Sequence, residues 1–152
     1  MINKSLFSVS GKIALIIAVA MISASSAFAG GAFENALINL RSAHYLIDSQ
    51  PNDWKKAPDE TTAKNDINAA IGEIKKVGID DGKSLKDHPL EYERITDRKS
   101  RLLKAIQLLK ASEAELSKLE EPDPKKKQIK SSALLHIKQA LASIDKLIPA
   151  AK

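Results

Sequence analysis

Four side chains in this chain of 152 residues have the chemistry and the spacing to share a site: His44, Asp66, Glu113 and His136. Two imidazoles and two carboxylates make a mixed nitrogen and oxygen donor set of the kind zinc or copper accepts. The same groups can also satisfy one another as histidine–carboxylate pairs with no ion between them. Their positions are related, because a shift of 69 residues carries His44 onto Glu113 and a shift of 70 carries Asp66 onto His136. On helical wheels His44 and Glu113 fall inside apolar stripes, whereas Asp66 and His136 fall at their edges. If repeat-related helices sit at one height, all four converge in one polar layer near the loop end of a bundle. Pairing, or an edge open to water, is the commoner use of such residues. Neither histidine has the i, i+4 partner of the H-x-x-x-H spacing.

The elements that would hold these groups are helices. From Arg101 to Leu119 the apolar residues Leu102, Ile106, Leu109, Leu116 and Leu119 recur at three-, four- and seven-residue spacings, which is one face of a helix. Ala36, Leu37, Leu40 and Arg41 repeat Ala105, Ile106, Leu109 and Lys110, and Ile67, Ala70, Ile71 and Ile74 repeat Ile137, Ala140, Leu141 and Ile144. The chain therefore reads as one helical hairpin written twice. The first helix is predicted from about Phe33 to Ser49, with His44 on its stripe, and Pro51 closes it. The second starts near Asp59 or Thr61 and runs to about Val77, where Gly78 supplies a C-terminal stop. The third spans about Asp97 to Glu120 and the fourth ends near Ile148, before Pro149. A polar connector over 79–96, with no convincing period, joins the hairpins of about 33–78 and 97–148. The simplest arrangement is an all-α, up-down-up-down four-helix bundle made of two similar hairpins.

The first 29 residues stand apart from that fold. Lys4 and Lys12 precede an apolar run from Ile13 to Ile22, and Ala27-Phe28-Ala29 is a small-x-small cleavage pattern. This reads as a secretory signal peptide cleaved after Ala29, since the run is short for a span of about 20 apolar residues. Residues 30–152 then form one domain, located in the periplasm or secreted, with no stable membrane anchor. No cysteine is present, so stability must come from packing even in a compartment that permits disulfides. Charge is unevenly spread: residues 30–90 carry 8 basic and 10 acidic side chains and residues 91–152 carry 14 and 9. Halves of net −2 and +5 could attract each other or mark one face for an anionic partner, though a merely solvated surface is the blander account.

Composition removes most chemistry. Without cysteine there is no thiol nucleophile, thiolate metal site or iron–sulfur cluster, and both methionines, Met1 and Met21, lie in the leader. No glycine-rich phosphate loop, G-x-S-x-G or H-E-x-x-H occurs, and Asp80 to Lys83 lacks the spacing of a calcium loop. His88 reads as a turn histidine. Lys125-Lys126-Lys127 is a short basic cluster, able to touch phosphate or acidic lipid but more often just solvated. Trp54 most simply closes the end of the bundle. Together with Tyr45 and Tyr92 it is a large aromatic left over from the stripes and a route to a homo-oligomer.

The segments ALINLRSAH, DINAAIGEIKKVGIDDGK, DRKSRLLKAIQLLKASEAEL and ALLHIKQALASI together resemble small exported bacterial proteins of duplicated helical-hairpin design. The resemblance spans nearly all of residues 33–148. It implies export and the bundle fold and brings no activity with it. The glycine-rich, His-Arg-containing lead-in to the second helix associated with that group is missing at Asp59 to Lys64. The reading is of a non-enzymatic exported interaction or binding module with no catalytic residues, an envelope or extracellular protein partner and no nucleic acid. The alternative is a periplasmic bundle binding zinc or copper through His44, Asp66, Glu113 and His136, with an envelope chaperone as a distant third.

Overall fold

The computed structural model describes residues 29–49, 57–78 and 89–151; residues 1–28 of the expected signal peptide, Trp54 and His88 lie outside them. The described chain is all-helical: α1 (Ala29–Asp48), α2 (Pro58–Lys75), a 3-10 helix (Leu90–Arg94), α3 (Arg98–Lys118), α4 (Pro124–Leu147) and a closing 3-10 turn (Ile148–Ala150). Each boundary has a local cause. Pro58 and Pro124 occupy first-turn positions, where a missing N–H is no loss. Asp97 accepts from the Ser100 N–H at 2.7 Å and Asp123 from the Lys125 N–H at 2.8 Å, so both carboxylates cap the helices that follow them. Ala57, at the N-cap of α2, has no side-chain oxygen. Only the return half of a capping box forms there, from the Ala57 N–H to Glu60 Oε2 at 3.3 Å. Gly78 ends α2 with φ of 84°, as the sequence led us to expect.

The stripes meet in one core. Phe33, Leu37, Leu40, Ile67, Ile74, Leu102, Leu109, Leu116 and Ile137 are almost fully buried in a single cluster. The order in which the helices meet differs from the up-down-up-down expectation. Ser112 donates to the carbonyl of Ala36, and Arg101 donates to that of Leu46. As positions rise along α1 their partners fall along α3, so these two helices are antiparallel. On the other side Asp66 faces His136 and Asp59 faces Lys146, which makes α2 and α4 antiparallel as well. Glu113 and Lys138 bring α3 against α4, and Asp48 and Lys64 bring α1 against α2. The succession is up-down-down-up, and each helix lies antiparallel to both neighbours.

Small residues explain the closest seams. Ala36, Ala43, Ala105 and Ser112 line α1 against α3, while Ala63, Ala70, Ala133 and Ala140 line α2 against α4, all at 0 % exposure. Backbones can approach there, closely enough for Ser112 Oγ to reach a carbonyl of the neighbouring helix at 3.3 Å. The α1–α2 and α3–α4 seams are bridged by the ion pairs Asp48–Lys64 and Glu113–Lys138. The connection from α2 to α3 must then join opposite ends of the bundle, past a helix of 18 residues, or about 27 Å. A connector over 79–96 is ample for that, since an extended chain covers about 3.3 Å per residue.

Candidate functional site

The antiparallel seam between α1 and α3 separates the four groups that the sequence brought together. With Ala36 beside Ser112 and Leu46 beside Arg101, His44 stands level with positions near 103 and Glu113 level with positions near 35. About nine residues of helix, or about 13 Å along the axis, lie between them. The expected layer of His44, Asp66, Glu113 and His136 is therefore not assembled. Among the described residues no group of three or more His, Cys, Asp or Glu side chains is placed to hold a metal ion. Repeat-related positions away from the middle of a seam share one height only where the repeated helices run parallel, and α1 and α3 run in opposite directions.

One half of the set does meet. His136 Nδ1 lies 3.7 Å from Asp66 Oδ1 across the α2–α4 seam, an ion-pair distance rather than a hydrogen bond. Both side chains are partly exposed. Glu113 is drawn instead to Lys138, at 3.9 Å. His44 is buried at the α1–α2 seam, near the Asp48–Lys64 ion pair. Burial holds its pKa below the ordinary histidine value; the Asp48 charge opposes that shift and the Lys64 charge adds to it. A neutral imidazole in this position is a packing element.

Several buried polar side chains escaped the sequence reading. Arg101 is 5 % exposed and donates from Nε to Leu46 O at 2.9 Å and from its terminal nitrogens to Ile95 O at 2.9 Å and Tyr45 O at 3.4 Å. It thereby satisfies carbonyls at the end of α1 and in the segment leading into α3, and its guanidinium lies over the Tyr45 ring at 5.4 Å. Glu60, 2 % exposed, receives Arg98 from both Nε and a terminal nitrogen, tying the start of α2 to the start of α3. Tyr92 of the 3-10 helix is buried in the core beneath Lys104. Burial and the neighbouring Glu91 raise the Tyr92 pKa. Tyr45 packs against the same core. Neither tyrosine is the free aromatic that the sequence offered for self-association. The signal missed was positional: Arg101 stands in the first turn of α3, immediately before Leu102 of its apolar stripe, within reach of the end of α1.

No helix among the described residues is long and apolar enough to cross a membrane. No protein-family model, curated protein or solved structure matches the chain.

Proposed function

We propose that the chain is an exported, non-enzymatic helical-bundle module that works by binding a partner in the periplasm or extracellular space. The observation that carries this reading is where the polar chemistry is spent. The buried polar groups Arg101, Glu60 and Ser112 bond helix to helix or helix to connector, so the interior is committed to holding the bundle. What is left for a partner lies on the outer faces. We also read the two hairpins as copies of one unit. In support, the 70-residue shift that relates Asp66 to His136 sets those two positions face to face, as a twofold axis across the α2–α4 seam would.

Export is the testable part. Mass determination of the protein recovered from the envelope or medium is expected to give a mature amino terminus at Gly30. Recovery of an intact Met1 form confined to the cytoplasm would overturn the reading.

A further inference from the structure

Among the described residues, positive charge that finds no acidic partner is concentrated on one hairpin. On α3 the exposed lysines Lys99, Lys110 and Lys118 have no carboxylate within ion-pair distance among the described residues, nor do Lys125, Lys126 and Lys127 at the start of α4. The other hairpin differs. Lys64 pairs with Asp48 and Lys76 with Glu73, Lys75 and Arg41 are engaged in the fold, and α1 contains no lysine. Opposing charge on and beside α3 and α4 is thinner: exposed Asp145 and Glu120, half-buried Glu115 and Glu121, and Glu113, which is paired with Lys138. The carboxylates of Asp97 and Asp123 are occupied as helix caps. From Lys99 to Lys118 the charges extend over about 28 Å. Between them stand two large exposed apolar side chains, Leu103 at 43 % and Leu135 at 55 %.

We infer that the α3–α4 hairpin is a docking face for a membrane surface bearing anionic phospholipids. The charges are lysines, point charges on flexible stems, suited to a diffuse field of headgroups more than to bidentate recognition of one phosphate. Exposed leucines between basic residues fit shallow insertion at the headgroup boundary. A single-stranded nucleic acid would draw on aromatic stacking platforms, and neither helix contains Phe, Tyr or Trp. This inference rests on the reading of the chain as an exported binding module and names the partner class.

Co-sedimentation of the full chain with vesicles tests it, using phosphatidylcholine alone or phosphatidylcholine mixed with phosphatidylglycerol. Any contribution of the leader is common to every variant, so the quantity read is the added binding to anionic vesicles. That added binding is expected to vanish toward 0.5 M salt, a concentration at which screening acts over only a few ångströms (about 3 Å at 1 M). At roughly fivefold per lysine, K99Q/K110Q/K118Q and K125Q/K126Q/K127Q should each weaken it roughly a hundredfold. K76Q, which removes a lysine already paired with Glu73, should leave it within about twofold. Circular dichroism of each variant confirms that the helices are retained. Equal binding to both vesicle types, undiminished binding by K99Q/K110Q/K118Q or by K125Q/K126Q/K127Q, or tighter binding to an oligonucleotide than to anionic vesicles at the same salt overturns the lipid assignment. None of these results bears on the amino terminus found in the envelope, so the two readings fail separately.

Discussion

Arg101, at the start of α3, donates through Nε to the carbonyl of Leu46 at 2.9 Å, closing the end of α1 with a side chain from 55 residues along the chain. The last carbonyls of a helix have no partner within it, and here a buried guanidinium supplies one while also holding Ile95 of the connecting segment. Three separate pieces of chain thus depend on one side chain. Arg101→Met removes the donors and leaves their acceptors buried, and a loss of about 2–4 kcal/mol is expected. Arg101→Lys should recover less than half of it, because an ammonium cannot reproduce the planar fork. Urea unfolding of the three proteins, compared at constant m-value, measures both effects.

The α1–α3 seam sets a second expectation, one that concerns size. Ser112 is fully buried and its hydroxyl bonds to Leu108 O in its own helix as well as to Ala36 O across the seam. Ser112→Ala keeps the close approach and loses only a shared hydroxyl, for about 1 kcal/mol. Ser112→Leu must push two backbones apart and should cost about 1–3 kcal/mol despite adding apolar surface. If the leucine variant proved the more stable of the two, the closeness of this seam would be in error.

Acid should weaken the bundle through His44. Its folded pKa is depressed by burial, so at pH below the ordinary histidine value of 6.5 the unfolded chain binds a proton more readily than the folded one. The stability it contributes is present above pH 6.5 and is lost as pH falls from there through the depressed folded value. Denaturation midpoints of the wild type should therefore drop over that interval relative to those of His44→Gln, with the difference flat above pH 7. Direct titration of the His44 ring by NMR gives the sign independently.

What the sequence made legible was the periodic part. His44, Leu40 and Ile47 lie on the stripe assigned to them, and Gly78 stops α2 where a glycine with positive φ is needed. Helix direction was not legible, because a connector over 79–96 is long enough to join either near or far ends of a bundle. The candidate site inherited that ambiguity. Asp66 and His136 meet in the observed arrangement, whereas His44 and Glu113 would meet only if α1 and α3 ran parallel. The Arg101 contacts were hidden for a related reason: they depend on which helix end lies beside Arg101, and periodicity carries no such information.

The separation of His44 from Glu113 has a consequence for metal binding. Asp66 and His136 alone offer two donor atoms, where closed zinc sites use four protein ligands and catalytic ones three. Titration of the metal-free protein with zinc or copper is expected to show no site tighter than micromolar. Any weak binding should be unchanged in His44→Ala, which lies at another seam. A submicromolar site abolished jointly by His44→Ala and Glu113→Ala would mean that α1 and α3 can be brought into the parallel register after all.

Gly78 offers the cleanest test of backbone conformation. Its φ of 84° lies in the left-handed region, and a Cβ built there would meet no atom within 4 Å. Steric crowding from neighbours therefore plays no part, and a substitution reports only the intrinsic penalty of that conformation. Gly78→Ala should destabilise by about 1–2 kcal/mol. Gly78→Asn should cost less, because asparagine tolerates the left-handed region better than other residues with side chains. Thermal unfolding resolves these values, since 1 kcal/mol shifts the midpoint of a domain this size by roughly 4 °C. An alanine variant as stable as the wild type would mean that α2 does not end in this turn, and the chain would then leave the bundle in a different direction toward α3.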